Sequence, residues 1–438
     1  MRRRSPYDRE IMRLALPALG ALAAEPLYLL ADTAIVGHLG TPQLAALALA
    51  GTVLTGAATF CNFLAYGVTA QVARLHGAGE ERRAAAVAAQ ALWVAVALGV
   101  LVAALVAALA APLISLLGGS GEVHPLAVTF LRIGSIGLPC ALVALAGQGY
   151  QRGIGDLRSP LVVVVAANVA NVALELLFVY GFRWGLAGSA WGTVLAQAGM
   201  GAAFATALVR AGGRAGSAHG RRPQPELMRP LLRMGGALVL RTGSLYASFV
   251  VAGAVLARVN AWSLGAHQIA MQLFAFLSLV LDAIAIAGQV IVGRRLGAGE
   301  ADEARAAARR MIELSVAGGV LLGAALLALR SALPHAFTGD PRVLERAKTL
   351  WPLLALMQPF GAAVFALDGI LLGAGETTYL AWSMLAAGAL FAAVSLASLH
   401  FGWGVLGIWA GFDALMLVRL ATCGARFRGG RWQVVGAD

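Results

Sequence analysis

Long apolar runs decide what this chain can fold into. Twelve of them occupy residues 12–36, 43–72, 84–111, 126–150, 159–180, 186–209, 231–257, 264–292, 304–333, 349–372, 378–399 and 404–424. A helical run of about 20 apolar residues matches the hydrocarbon thickness of a bilayer and satisfies its own backbone hydrogen bonds there. With 60% of the residues hydrophobic and 12% charged, a soluble core has no room for this much apolar surface. The alternating pattern of a transmembrane β-barrel is missing. The chain therefore reads as an all-α membrane protein of twelve transmembrane helices, with no stretch left over for a soluble domain.

The net charge of +12 would suggest nucleic acid in a soluble protein. Here it reads as topology, because Arg and Lys are retained on the cytoplasmic side. With the amino terminus inside, 25 of the 33 basic residues fall on the cytoplasmic side and six on the outer side. Arg132 and Arg241 remain, both inside apolar runs. Arg419 is counted with the cytoplasmic group. Both termini are thus expected in the cytoplasm, and the Met-Arg-Arg-Arg start reads as the flank of a retained first helix, not a cleaved signal. Cys61, Cys140 and Cys423 lie in apolar runs without paired spacing, which argues against a disulfide framework or a zinc site.

The halves repeat at a spacing of 220 residues. Arg74…Gly77-Ala78-Gly79-Glu80 returns as Arg294…Gly297-Ala298-Gly299-Glu300. Pro139 returns as Pro359, and Gly149…Gly153-Ile-Gly155-Asp156 as Gly369…Gly373-Ala-Gly375-Glu376. Trp184-Gly185-x-x-Gly188 returns as Trp403-Gly404-x-x-Gly407. Six helices duplicated in the same sense make two pseudo-symmetric lobes, an arrangement often found in transporters. The expected division is 1–209 for the N-terminal lobe, 210–230 for a Gly-, Pro- and Arg-rich cytoplasmic linker, and 231–438 for the C-terminal lobe. The repeated glycines read as tight turns and close helix approaches.

Against this frame the polar residues inside the apolar runs stand out, since an ionisable group in hydrocarbon marks an ion or substrate path by default. Glu25, Tyr28 and Asp32 share one face of the first helix, and Asn168, Asn171 and Glu175 share one face of the fifth. Thr193 and Gln197 are one turn apart on the sixth. At about 1.5 Å per residue, Asp32, Glu175 and Thr193 all fall in the outer half of the membrane, so one cluster can hold them. Two carboxyls with amide and hydroxyl oxygens suit a shared proton or a hard monovalent cation. At the repeat offsets, Asp32 maps to about Ala257, Asn171 to Phe391 and Glu175 to Ser395. The second half thus keeps the scaffold and drops these acids, and the cluster reads as specific to the N-terminal lobe. The second half holds Arg241, Asp282 and Asp368, an ion-paired structural element or a gate. Tyr28, Asn168 and Gln197 are further candidates for cavity lining. Pro17 and Pro26 interrupt the first helix and are candidate bending points.

Together, Leu-Leu-Ala-Asp32-Thr33-Ala-Ile-Val-Gly37-His-Leu-Gly40, Asn171-x-x-x-Glu175, Gly192-Thr193 and Leu367-Asp368-Gly369-Ile370-x-x-Gly373-Ala374 resemble the multidrug and toxic compound extrusion (MATE) family, in its DinF-like branch. The resemblance covers essentially the whole chain. It implies two six-helix lobes in a V, alternating access, and export of cationic or amphipathic compounds against inward H⁺ or Na⁺. Asp32, Asn171, Glu175 and Thr193 are implied to hold the coupling ion, and Pro17 to bend on protonation. Glu175 departs from the Asp common in such relatives, which favours a proton over Na⁺ at the same four residues. No further cofactor is implied.

The expected protein is an antiporter of a bacterial inner membrane and a monomer. Its partners are small organic substrates and lipid, not nucleic acid. A lipid-linked precursor flippase is the alternative. That reading calls for a basic central cavity, whereas the apolar runs offer only Arg132 and Arg241 as buried bases, against Asp32, Glu175, Asp282 and Asp368. An embedded enzyme calls for an Asp-rich metal motif or a His-centred site; the seven histidines are scattered.

Overall fold

The structure is a computed structural model that describes residues 5–214 and 222–437. The helices in chain order are α1 (Pro6–Gly37), α2 (Thr41–Cys61), α3 (Phe63–Gly77), α4 (Glu81–Ala108), α5 (Ala110–Leu116), α6 (Val123–Ser135), α7 (Leu138–Gly153), α8 (Arg158–Leu176), α9 (Gly185–Arg214), α10 (Pro225–Val259), α11 (Ala261–Gly297), α12 (Ala301–Ala328), α13 (Ala332–His335), α14 (Pro341–Gly373), α15 (Thr377–Phe401) and α16 (Gly404–Arg428). A π-turn, Leu177–Gly181, follows α8 directly. There is no strand among the described residues. Among the described residues, with α2 and α3 taken together, eleven helical segments are long and apolar enough to cross a membrane, and twelve spans result if the bent pair α6–α7 is one of them. Many large apolar side chains, such as Leu27, Leu30 and Leu321, are well exposed, as expected where lipid is the solvent.

The chain forms two compact units. One comprises Gly20–Gly235 and Ala437–Asp438, and the other Met1–Leu19 and Gly236–Gly436. The division passes within α1 and within α10. Of the 210–230 stretch, residues 215–221 lie outside the described residues. In the C-terminal unit the first turns of α1 are tied to α11 and α12. Asp8 pairs with Arg310 at 2.6 Å, Glu10 with Arg294, and the Tyr7 hydroxyl donates to Glu303 at 2.5 Å. α1 is helical throughout, so Pro17 and Pro26 sit in an unbroken helix.

The duplication is visible in how each unit packs. In the N-terminal unit a Cβ on Gly99 would lie 2.5 Å from the Pro139 backbone. In the C-terminal unit a Cβ on Gly319 would lie 2.9 Å from the Pro359 backbone. Gly149 packs on the backbone of Ala65, and Gly369 on that of Ala285. A side chain at any of these points would force two helices apart. The helix ends match too. Gly79, Gly155, Gly299 and Gly375 all have positive φ, between 74° and 82°. After each, the next amide bonds to a carbonyl one turn back, as in Glu80 N–H to Leu75 O and Glu300 N–H to Arg295 O, both 2.9 Å. Glycine is needed there because a Cβ disfavours the left-handed conformation.

The copies differ at two joints: α2 and α3 divide at Asn62 where the repeat is the continuous α11, and the second joint is sharper. The run 126–150, expected as one helix, bends by 47° between α6 and α7, whereas its repeat lies in the continuous α14. Gly137 stands at the bend, where a Cβ would lie 2.0 Å from Gln197 Oε1. The amide of Gln197 fills the space a side chain would need.

Candidate functional site

α1, α8 and α9 of the N-terminal unit bring four of the sequence-identified residues together. Asp32 is 4% exposed, Asn171 2% and Glu175 0%, all within a segment that faces hydrocarbon elsewhere. The Asp32 and Glu175 carboxyls are within hydrogen-bonding reach of each other. Thr193 Oγ1 donates to Glu175 Oε1 at 3.3 Å and accepts from Asn171 Nδ2 at 3.2 Å. The Tyr28 hydroxyl lies 3.3 Å from the same Thr193 oxygen. One hydroxyl therefore joins three helices.

Ser189 completes the cluster. Its hydroxyl, fully buried, donates to Asp32 Oδ1 at 2.8 Å. It lies one turn before Thr193 on α9, and that i, i+4 spacing was the signal that would have found it. After these bonds, Glu175 Oε2 and Asn171 Oδ1 are buried without a partner. Buried polar atoms are almost always satisfied, so two orphaned oxygens beside two carboxyls have the chemistry to take a proton or a cation.

Close approach of α9 to α8 makes this geometry accessible. A Cβ on Gly192 would lie 2.9 Å from Glu175 Cγ, and one on Gly188 would lie 2.8 Å from the Phe178 backbone. The π-turn begins two residues after Glu175, and there the Tyr180 hydroxyl donates to Ile35 O at 2.6 Å, tying it to the end of α1. π-turns recur at functional sites because they re-aim a helix without ending it.

The cluster opens onto a cavity of about 270 Å³ in the same unit. Tyr28, Asn171 and Thr193 belong to both. Asn168 and Gln197 also line it, as do Glu25 and Arg152. Asn168 Nδ2 donates to Ala24 O at 2.9 Å, and Gln197 Oε1 is unpartnered. Pro26 has no N–H to give to Leu22 O one turn earlier, and Leu22 lines the cavity. This wall of α1 thus has one helical bond fewer.

Arg241, Asp282 and Asp368 lie in the C-terminal unit and do not line this cavity. Asp368 is 5% exposed and pairs with Arg241 at 2.6 Å. Its other oxygen pairs with Arg419. Asp282 is half-buried on α11. Arg419 corrects the count of interior bases. It reads as cytoplasmic from its place near the basic end of α16, but it is 3% exposed and turned inward. Arg132 corrects it the other way, because its side of α6 is exposed. A second correction concerns acids. The C-terminal half lacks the N-terminal cluster, yet Asp413 on α16 is 7% exposed with both carboxyl oxygens unpartnered. Among the histidines, His267 is buried on α11, stacked on Phe412.

Three comparisons bear on this arrangement. The family model described as MatE matches residues 17–177 and 239–410. The protein DETOXIFICATION 44, chloroplastic, of Arabidopsis thaliana is 31% identical over 443 residues, covering 97% of this chain and 84% of the relative. The DNA damage-inducible protein F of Escherichia coli (strain K12) is 26% identical over 441 residues, covering 97% and 94%. Among solved structures, the crystal structure of MATE in the bent conformation superposes with a TM-score of 0.89 at 20% identity. That match covers 98% of this chain and 96% of the other, and it speaks for the fold.

Proposed function

The chain belongs to the multidrug and toxic compound extrusion (MatE) family, and from that premise we propose that it is a secondary antiporter exporting cationic or amphipathic organic compounds against inward protons. It is a multi-pass membrane transporter and not an enzyme, as the family is. The finer reading rests on one observation. A buried two-carboxyl cluster with two orphaned oxygens opens directly onto a cavity able to take an organic molecule.

In this reading Asp32 and Glu175 bind the coupling ion, with Asn171 and Thr193 completing the oxygen set. Two carboxylates this close repel when both are ionised, and a single shared proton relieves that repulsion. Ser189 and Thr193 each already give a hydroxyl hydrogen to one carboxyl, so a proton needs no further ligand. Na⁺ at the same residues would need several oxygens turned toward it at once, and Ser189 and Thr193 would have to turn their lone pairs inward. Glu25, which lines the cavity, supplies negative charge for a cationic substrate. Uptake of the proton changes the charge beside Tyr28 and Asn171, which face both the cluster and the cavity. α1, continuous but short of one helical hydrogen bond at Pro26 and another at Pro17, is the helix placed to respond. The proposed setting is a bacterial inner membrane, with both termini cytoplasmic and one chain per transporter.

The test is transport in proteoliposomes with a pH gradient and a Na⁺ gradient imposed separately, using a fluorescent organic cation. Cation movement against the pH gradient, with no response to Na⁺ alone, is the expected result. Movement driven by Na⁺ at equal pH would replace the proton with Na⁺. A response to neither gradient would end the antiporter reading.

A further inference from the structure

Asp413 takes no part in the site described above. Its carboxyl is 7% exposed, and neither oxygen has a hydrogen-bond partner. Groups able to neutralise it are engaged elsewhere or make no bond to it. On its own helix, Arg419 is bound to Asp368, which belongs to α14 and also holds Arg241 of α10. On α11, His267 lies against the rings of Trp409 and Phe412, and its Nδ1 is itself unpartnered; Asp282 is the other ionisable group there within the membrane. On α15, the Tyr379 hydroxyl donates to Thr422 O at 2.7 Å, and His400 is exposed near the far end.

The place of Asp413 in the duplication gives a second, independent argument. The offset of 219 residues that matches Trp184-Gly185 to Trp403-Gly404 also matches Gly192 to Gly411 and Val194 to Asp413. Gly407 packs on Ser398 as Gly188 packs on Phe178, which confirms the register. Asp413 therefore stands one position beyond the counterpart of Thr193, on the repeat of the helix that carries Thr193 and Ser189. The counterpart of Glu175 is Ser395, which is fully buried with its hydroxyl unpartnered. The helix pair that builds the N-terminal cluster thus has a repeat, α15–α16, with its own unsatisfied buried oxygens.

An isolated carboxylate ion in such a place is costly, whereas a neutral carboxylic acid is tolerated. We infer that Asp413 is a second proton-binding carboxyl, so that each half of the transporter carries an exchangeable proton. The ligand is H⁺ itself. The site does not depend on the Asp32 cluster being the coupling site.

Proton uptake by the purified full-length protein in detergent, from pH 9 to pH 5, reads this directly. Asp413→Asn should take up one proton fewer per molecule than the parent, and equal uptake would overturn the inference. The parent protein is also treated with dicyclohexylcarbodiimide, which modifies protonated carboxyls in apolar surroundings, and its peptides are mapped by mass spectrometry. An adduct on Asp413 is expected, and its absence alongside an adduct on Asp32 or Glu175 would overturn the inference even if the Asn variant failed to fold. Asp32→Asn serves as the control. If it loses no proton, the coupling-site reading fails while Asp413 stands on its own result.

Discussion

Asp32→Asn should reduce export to the level of cells lacking the transporter while leaving expression and folding intact. The substitution is nearly isosteric. The amide oxygen of Asn still accepts the Ser189 hydroxyl now 2.8 Å from Asp32, so packing of α1 on α9 is retained. What disappears is one ionisable group of a pair buried within reach of each other. A cluster with only Glu175 has no carboxylate repulsion for a proton to relieve. The expected effect is therefore loss of coupled transport, not a graded decline. Drug-resistance assays in a pump-deficient host, with the protein quantified in membranes, check this. Thr193→Ala should be milder, since it removes the hydroxyl shared by Tyr28, Asn171 and Glu175 but neither carboxyl.

The largest effect on stability is expected at Asp368. Its carboxyl is the shared acid between Arg241 and Arg419, whose side chains are 18% and 4% exposed. Asp368→Ala leaves two guanidinium groups without that charge inside the C-terminal unit, and breaking one partner out of a buried ion pair typically costs about 3–5 kcal/mol. Thermal unfolding in detergent should show a large fall in midpoint or loss of monodisperse protein. Removing the charge at both ends, with Asp368→Ala and Arg419→Met together, should recover part of that loss, because a neutral interior can repack. An Asp368→Ala protein as stable as the parent would contradict the structural role assigned to this triad.

Legibility differed from element to element, for physical reasons. The spans were readable because lipid imposes a length on every apolar run; α2 and α3 divide the run 43–72 at Asn62, and α6–α7 bends by 47°. At that bend Gln197, about 60 residues away in sequence, fills the space beside Gly137. No local pattern carries such information. Asp32, Glu175 and Thr193 were legible as a group because helical spacing and depth fix both face and height. Ser189 was missed because a serine in a membrane helix usually bonds its own backbone, and only the tertiary structure shows its hydroxyl aimed at Asp32. Arg419 was misassigned because a basic residue near the cytoplasmic end of a helix carries the topology signal whether it faces water or protein. Asp413 was not legible because its counterpart in the first half is Val194, so the repeat points to no acid at that place.

The central claim is that one cluster in the N-terminal unit gives up its proton when substrate enters the adjoining cavity. Substrate-triggered proton release from the purified protein, followed with a pH-sensitive dye in weak buffer, tests it most directly. The parent protein should release protons on adding an organic cation, and Asp32→Asn should bind the same compound without release. Undiminished release from Asp32→Asn and from Glu175→Gln would contradict the account and move the coupling site elsewhere in the chain.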